Sequence, residues 1–254
     1  MINCIITPTN HFHDSFSRTI KSVMIQTIND WEWIVVNDSG LPLDKSNDIV
    51  KLILSDRRIK IIDNYRNSGA GCARNCGLDY VKKKYKTCNL FFIDAGDEWF
   101  DQFIEKSLLY FQLYGNNIIS TSYLMRWPES KTKEIIISGS RTYKNMLEDY
   151  STGCISTALK LDDTSILSEI RFGETIRVND QPFFLSAVKH YGSVMHVKDI
   201  MAIYYVGDPS SLSGKKIYTA IGKWKVLKNQ NINFLYRYYC FILYFLSGIK
   251  RYYM

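Results

Sequence analysis

Apolar runs and helix-spaced apolar positions take turns along the first hundred residues. Asn3 to Thr7 reads as a strand. Phe12, Phe16, Ile20, Val23 and Met24 then share one face at helical spacing. Trp31 to Val36 is a second apolar run and ends in the polar turn Asn37-Asp38-Ser39-Gly40. Ile49, Val50, Leu52, Ile53 and Leu54 predict a helix, Ile59 to Ile62 a third strand, Gly69 to Lys83 a further helix, and Leu90 to Ile93 a fourth strand. Strand and helix in strict alternation predict an α/β fold with a mostly parallel sheet covered on both faces. Right-handed crossovers bring Thr7, Asp38 and Asp94 to the same sheet edge, where such folds bind ligands.

The second half is less regular. Ile118 to Met125 and Ile135 to Ile137 predict antiparallel strands, and Gln181 to Lys189 a helix opened by Asn179-Asp180. Val194 to Val197 and Met201 to Val206 read as two more strands, and Gly207 to Ser211 as a loop. A turn-rich linker from Lys228 to Asn233 leads into an aromatic helix.

The fourth strand ends abruptly in Asp94-Ala95-Gly96-Asp97. Burying either carboxylate unpaired is costly, so this end faces water, a cation or a ligand. Paired carboxylates suit a divalent metal, which prefers oxygen ligands.

A chain of 254 residues with a hydrophobic fraction of 46% is able to bury a large core. Its net charge of +7 is uneven: eight basic residues and no acid lie between Pro209 and Met254, while the preceding residues are close to neutral. The first residues lack a basic n-region and a long apolar stretch, so no signal peptide is expected. The six cysteines show no paired CxxC spacing and are expected to be reduced thiols in a cytoplasmic protein. Cys72 and Cys76 share a helix face without further metal ligands in view, and His11 and His13 sit in a loop without partners.

Several strings together resemble the inverting family 2 glycosyltransferases with the GT-A fold. They are Ile6 to Asn10, Val35 to Asp38, Asn67 to Gly69 with Ala73 to Leu78, Phe92 to Asp97, Asn179-Asp180 and Ser211 to Ser213, in the family's order over roughly residues 3 to 213. The resemblance implies a Rossmann-like GT-A domain over 1–213, with a nucleotide-sugar-binding half (1–100) and an acceptor-binding half (101–213). The basic, aromatic tail (214–254) follows. It implies a UDP-sugar donor, a polyprenyl-diphosphate-linked sugar acceptor, and an Mn²⁺ or Mg²⁺ cofactor. By resemblance, Asp38 accepts from the uracil imide, Thr7 and Pro8 shape the base pocket, and Arg74 reaches the diphosphate. Asp97 is the first choice as metal ligand, with Asp94 contacting the metal or the donor's ribose or sugar.

Asp180 is the candidate general base, because inverting transfer needs a carboxylate to take the acceptor hydroxyl's proton. Glu174 is the reserve candidate. Each of these positions also has a plainer reading: Asp94 or Asp180 as a helix N-cap, Asp38 as a turn former, Arg74 on the surface. Two positions depart from the family pattern, Gly96 for the central aspartate and Asn179 for the glutamate before Asp180. They keep open a non-catalytic nucleotide-sugar-binding module. Gly69-Ala70-Gly71-Cys72-Ala73-Arg74 echoes a dinucleotide fingerprint, but its third glycine is replaced by Arg74.

The tail carries a twelve-residue uncharged run, Tyr238 to Ile249, flanked by Arg237 and Lys250-Arg251. This is short of the roughly 20 apolar residues a membrane span needs. Its tyrosines and basic flanks predict an interfacial helix on an anionic membrane surface, against a helix packed on the core. The expectation is a cytoplasmic enzyme, peripheral on the inner face of the cell membrane, building O-antigen or capsule by transferring a hexose (Glc, Gal or GlcNAc) in β-linkage. The unbroken apolar run argues against nucleic acid as a partner.

Overall fold

The computed structural model describes residues 1–174, 177–206 and 216–253. Its first half follows the predicted alternation: β1 (Ile2–Thr9), α1 (Phe16–Met24), β2 (Trp31–Asn37), α2 (Asp48–Leu54), β3 (Ile59–Asp63), α3 (Ala70–Lys84) and β4 (Cys88–Phe92). The four strands lie parallel in the order β3-β2-β1-β4. Side chains alternate between two cores. Ile6, Ile34 and Phe92 point to one face, and Ile5, Trp33, Val35 and Phe91 to the other. α3 packs closely on β1 because Gly77 has no side chain: a Cβ there would stand 2.7 Å from Cγ2 of Ile6.

After β4 come β5 (Glu98–Trp99), α4 (Phe103–Tyr114), β6 (Ile118–Arg126), β7 (Thr132–Ile135), β8 (Gly139–Thr142) and α5 (Tyr143–Glu148). They are followed by β9 (Thr157–Leu161), α6 (Asp180–Tyr191), β10 (Ser193–Tyr205), α7 (Lys216–Lys228) and α8 (Phe234–Tyr253). The same sheet continues as β9-β6-β10-β5, with β7 paired to β6 and β8 to β10. Apart from the parallel pair β6–β10, these pairings are antiparallel.

The structure adds elements that the pattern left unassigned. α4 buries Phe103, Ile104, Tyr110 and Phe111 and ends at Gly115 in the left-handed conformation, with φ 65°. β9 inserts between β4 and β6, where it joins the two halves of the sheet. The two strands expected near 194–206 are one strand, β10. Its register against β6 shifts between Val197 and Ala202, where Lys198 and Asp199 are exposed.

The tail is also more than an appendage. α7 and α8 pack on each other, and α8 packs on α5, burying Val226, Leu227 and Cys240 in the core that holds Phe183 and Phe184. Among the described residues no helix is long and apolar enough to cross a membrane. The predicted loop 207–211 and the Ser211-Leu212-Ser213 string lie outside the described residues.

Candidate active site

The carboxyl ends of β1, β2 and β4 open into a cavity of about 1210 Å³. Pro8, Asp38, Arg74, Asp94, Asp97 and Asp180 all line it. Thr7 does not. It is fully buried, and its hydroxyl accepts a hydrogen bond from the Trp33 indole at 2.9 Å, so it serves the core beneath the pocket. Neighbouring residues in a strand face opposite sides, which gives Pro8 the cavity and Thr7 the interior.

Asp38 is turned onto the loop before α3. Its carboxylate accepts from Ser68 N at 3.0 Å, Gly69 N at 2.7 Å and Asn64 Nδ2 at 2.7 Å. Asn67 and Gly69 in that loop both have positive φ, 44° and 90°, so the chain turns tightly around the carboxylate. The Ser68 hydroxyl also reaches Oδ1, at 3.5 Å, whereas among the described residues Oδ2 accepts from Gly69 N alone and keeps a lone-pair direction for a ligand N–H.

The Asp94–Asp97 turn is built on α1. The Thr19 hydroxyl donates to the Asp97 carbonyl at 2.8 Å and accepts from Gly96 N at 2.8 Å. Gly96 has φ 104°, a conformation that a side chain would strain. This accounts physically for the glycine at the position where the family pattern has an aspartate. Asp97 is buried, and its Oδ1 accepts from Tyr205 N at 2.9 Å, which ties the turn to the end of β10. Burial and the neighbouring Asp94 push its carboxyl well above the usual range. The Asp94 side chain is more open, and the Arg74 guanidinium is ion-paired to it.

Arg74 is buried, not on the surface. Besides pairing with Asp94 it donates to Asn179 Oδ1 at 3.0 Å and lies 5.2 Å from the Phe172 ring centre. Burial opposes its charge and Asp94 favours it, with the net result that the guanidinium is held protonated. Asn179 therefore does work at the position where a glutamate was expected: it anchors the start of α6 to the strand-end turn. α3 and this segment touch through Gly71, where a Cβ would lie 2.2 Å from the Gly173 carbonyl oxygen.

Asp180 opens α6 without capping it, since the preceding residue, Asn179, is the N-cap and makes no side-chain cap bond. Burial raises the Asp180 carboxyl above the usual aspartate range; Arg74 and the Tyr150 hydroxyl act in the opposite direction. Glu174 is exposed and does not line the cavity.

The cavity residues that had no signal in the sequence include Arg18 on α1, Arg126 on β6, Tyr150 after α5, and Lys223 on α7. Each is an isolated residue in an otherwise ordinary segment, brought in only by the chain's return to the sheet edge. Among the described residues no group of three or more His, Cys, Asp or Glu side chains assembles. Asp94 and Asp97 thus form a pair, and Cys72, Cys76, His11 and His13 build no metal centre there.

The mixed sheet with its carboxylate- and arginine-lined strand edge has the GT-A fold, and comparison with known proteins agrees. The family model "Glycosyl transferase family 2" matches residues 4–165. The chain belongs to glycosyl transferase family 2. It is 28% identical over 251 residues to the Escherichia coli UDP-Glc:alpha-D-GlcNAc-diphosphoundecaprenol beta-1,3-glucosyltransferase WfgD, covering 97% of this chain and 93% of the relative. The Escherichia coli protein WfaP, named for the same activity, is 28% identical over 252 residues, covering 96% of this chain and 93% of the relative. Among solved structures, S. aureus TarS 1-349 in complex with UDP-GlcNAc superposes with a TM-score of 0.70 at 15% identity, over 93% of this chain and 69% of that one. That likeness speaks for the fold.

Proposed function

We propose that this protein is an inverting, metal-dependent hexosyltransferase that moves a sugar from a UDP-sugar to a polyprenyl-diphosphate-linked sugar, forming a β-linkage in O-antigen or capsule synthesis. The observation that carries the reading is the meeting of Asp38, the Asp94–Asp97 turn and Asp180 in one cavity, with Arg74 joining the turn to Asn179 at the start of α6. The Escherichia coli relatives, whose names state a UDP-Glc donor and a diphosphoundecaprenol acceptor, support the substrate classes.

In this reading Asp38 and Pro8 hold the uracil end of the donor. The acceptor hydroxyl oxygen attacks the anomeric carbon on the face opposite the diphosphate, its proton passes to the Asp180 carboxylate, and the anomeric C–O bond breaks with its electron pair leaving on UDP. Burial keeps the Asp180 carboxyl nearer to the acceptor's proton affinity than an ordinary aspartate is. Arg74 orients Asp94 and holds Asn179, and so positions the base relative to the donor side.

Asp97 and Asp94 are the residues that would hold Mn²⁺ or Mg²⁺. Two hard oxygen donors crowded together, one of them with its carboxyl pushed up by burial and by its neighbour, fit a divalent cation. Such an ion, when bound, neutralises charge on the departing diphosphate.

The enzyme works at the inner membrane face. α8 exposes Leu235, Tyr239, Ile242 and Leu246, an i, i+4, i+7, i+11 stripe, on a helix with basic residues. A panel of UDP-Glc, UDP-Gal and UDP-GlcNAc with a synthetic GlcNAc-diphosphate-lipid, with and without Mn²⁺, tests the proposal. Metal-stimulated transfer from one donor is expected; binding of UDP-sugar with no transfer to any acceptor would favour the non-catalytic module.

A further inference from the structure

Among the described residues that line the cavity with Asp180, two buried polar side chains, Gln181 and Lys223, lack a hydrogen-bond partner. Gln181, the next residue on α6, is fully buried, and neither its amide oxygen nor its amide nitrogen is paired. Lys223 is 2% exposed, and its Nζ is likewise unpaired. Both residues line the cavity. Buried polar atoms are nearly always satisfied, so two orphans beside one carboxylate point to a group that arrives with the substrate.

Lys223 is placed there by the packing of α7. Gly222 lets the helix press on the chain leading to Asp180: a Cβ at Gly222 would stand 3.2 Å from the Arg177 carbonyl oxygen. The Tyr150 and Tyr244 rings flank the ammonium at 5.9 and 5.8 Å, and none of the ion pairs among the described residues includes it. Burial lowers its pKa to about 8, while Cys240, Asp180 and Asp149 act the other way. A four-carbon stem lets the ammonium swing toward an anion entering the cavity.

The donor's diphosphate already has the strand-end turn, where Asp94 and Asp97 would hold a divalent cation. Lys223 instead lines the cavity from α7, where its ammonium interacts electrostatically with Asp180. A sugar diphosphate acceptor bears its phosphates on the anomeric carbon and the attacking hydroxyl on another carbon of the same ring. A cation for those phosphates must therefore stand about one pyranose ring from the base.

We propose that Lys223 and Gln181 form the acceptor subsite: the ammonium receives the acceptor's diphosphate, and the amide hydrogen-bonds the acceptor sugar while Asp180 takes its proton. This rests on the lipid-diphosphate acceptor class proposed above.

The test is calorimetric titration of the UDP-saturated protein with two soluble probes, octyl-diphospho-α-GlcNAc and the uncharged octyl α-GlcNAc. Wild type should bind the diphosphate probe at least about tenfold more tightly, and Lys223→Met should erase that difference while leaving UDP affinity and the uncharged probe unchanged. Lys223→Arg should restore part of it. Inorganic pyrophosphate should displace the diphosphate probe from wild type but not the uncharged one, a readout that needs no variant to fold. Equal loss of both probes, loss of UDP affinity, or no loss at all in Lys223→Met would overturn the subsite, as would indifference to pyrophosphate. A wild type that binds the two probes equally, or neither, would instead sink the acceptor class and the subsite with it.

Discussion

Arg74 and Asn179 are separated by 105 positions in sequence, yet the Arg74 guanidinium donates to the Asn179 side-chain oxygen at 3.0 Å. The same guanidinium is ion-paired to Asp94. One buried side chain thus fixes the spacing between the donor-side carboxylates and the start of the helix that carries Asp180. Arg74→Lys, a point charge in place of a fork, should keep the Asp94 pair and lose Asn179. The expected result is a kcat at least about tenfold lower with donor KM little changed, read from steady-state kinetics. Arg74→Met should in addition cost about 1–3 kcal/mol of stability in denaturant unfolding, because Asn179 is left unpaired in the interior.

Asp180→Asn removes the base and keeps the shape. Transfer should fall by about 10²–10⁴-fold, the usual worth of a general base, with UDP-sugar affinity nearly intact. Near-normal turnover by a folded variant would remove the assignment.

The pH profile follows from the same residue. Only ionised Asp180 accepts a proton, and burial raises its pKa. Activity should therefore rise with pH through a midpoint above the ordinary aspartate value of about 3.9 and be lost on the acid side. An acid limb of kcat lying at or below that value would contradict a desolvated base.

Asp97 and Asp94 divide the metal role unequally. Asp97→Ala should abolish stimulation by Mn²⁺, and chelation should silence the wild type to the same level. If Asp97→Ala stays metal-dependent while Asp94→Ala does not, the two roles are reversed.

Gly71→Ala should damage the site from behind. The new methyl would meet the Gly173 carbonyl at 2.2 Å and push the segment that leads to Asp180. A loss of about 1–3 kcal/mol, typical of overpacking, is expected together with reduced turnover, measured by thermal melting and by assay. A variant as stable and active as wild type would show that this contact is slack.

The exposed stripe of α8 predicts membrane partition. Replacing Leu235, Tyr239, Ile242 and Leu246 with serine leaves the buried Cys240 face alone. The variant should leave anionic vesicles in a flotation assay and keep its fold by circular dichroism. Unchanged flotation would reject the docking face.

The parallel half of the fold was legible because apolar runs and helical spacing repeat strictly there, and each run ends in a polar residue. Asp38, Asp94 and Asp97 could be named for the same reason, since a carboxylate at the end of a buried run is conspicuous. α4 was missed because its apolar residues extend around the helix, as the exposed Leu109 and Leu113 show, and so blur the period. β9 was missed because five residues with one lysine carry too little pattern.

What the sequence by itself determined is the strand-helix alternation and the carboxylates at its turns, both local properties of short segments. Only the tertiary structure decided that Thr7 turns inward to Trp33 while Pro8 faces the cavity, and that Arg74 is a buried bridge. It alone brought the basic tail back to set Lys223 beside Asp180. The physical reason is range. Periodicity and turn chemistry act over a few residues, whereas a buried cation's place depends on partners more than a hundred positions away, reached only when the chain closes on itself.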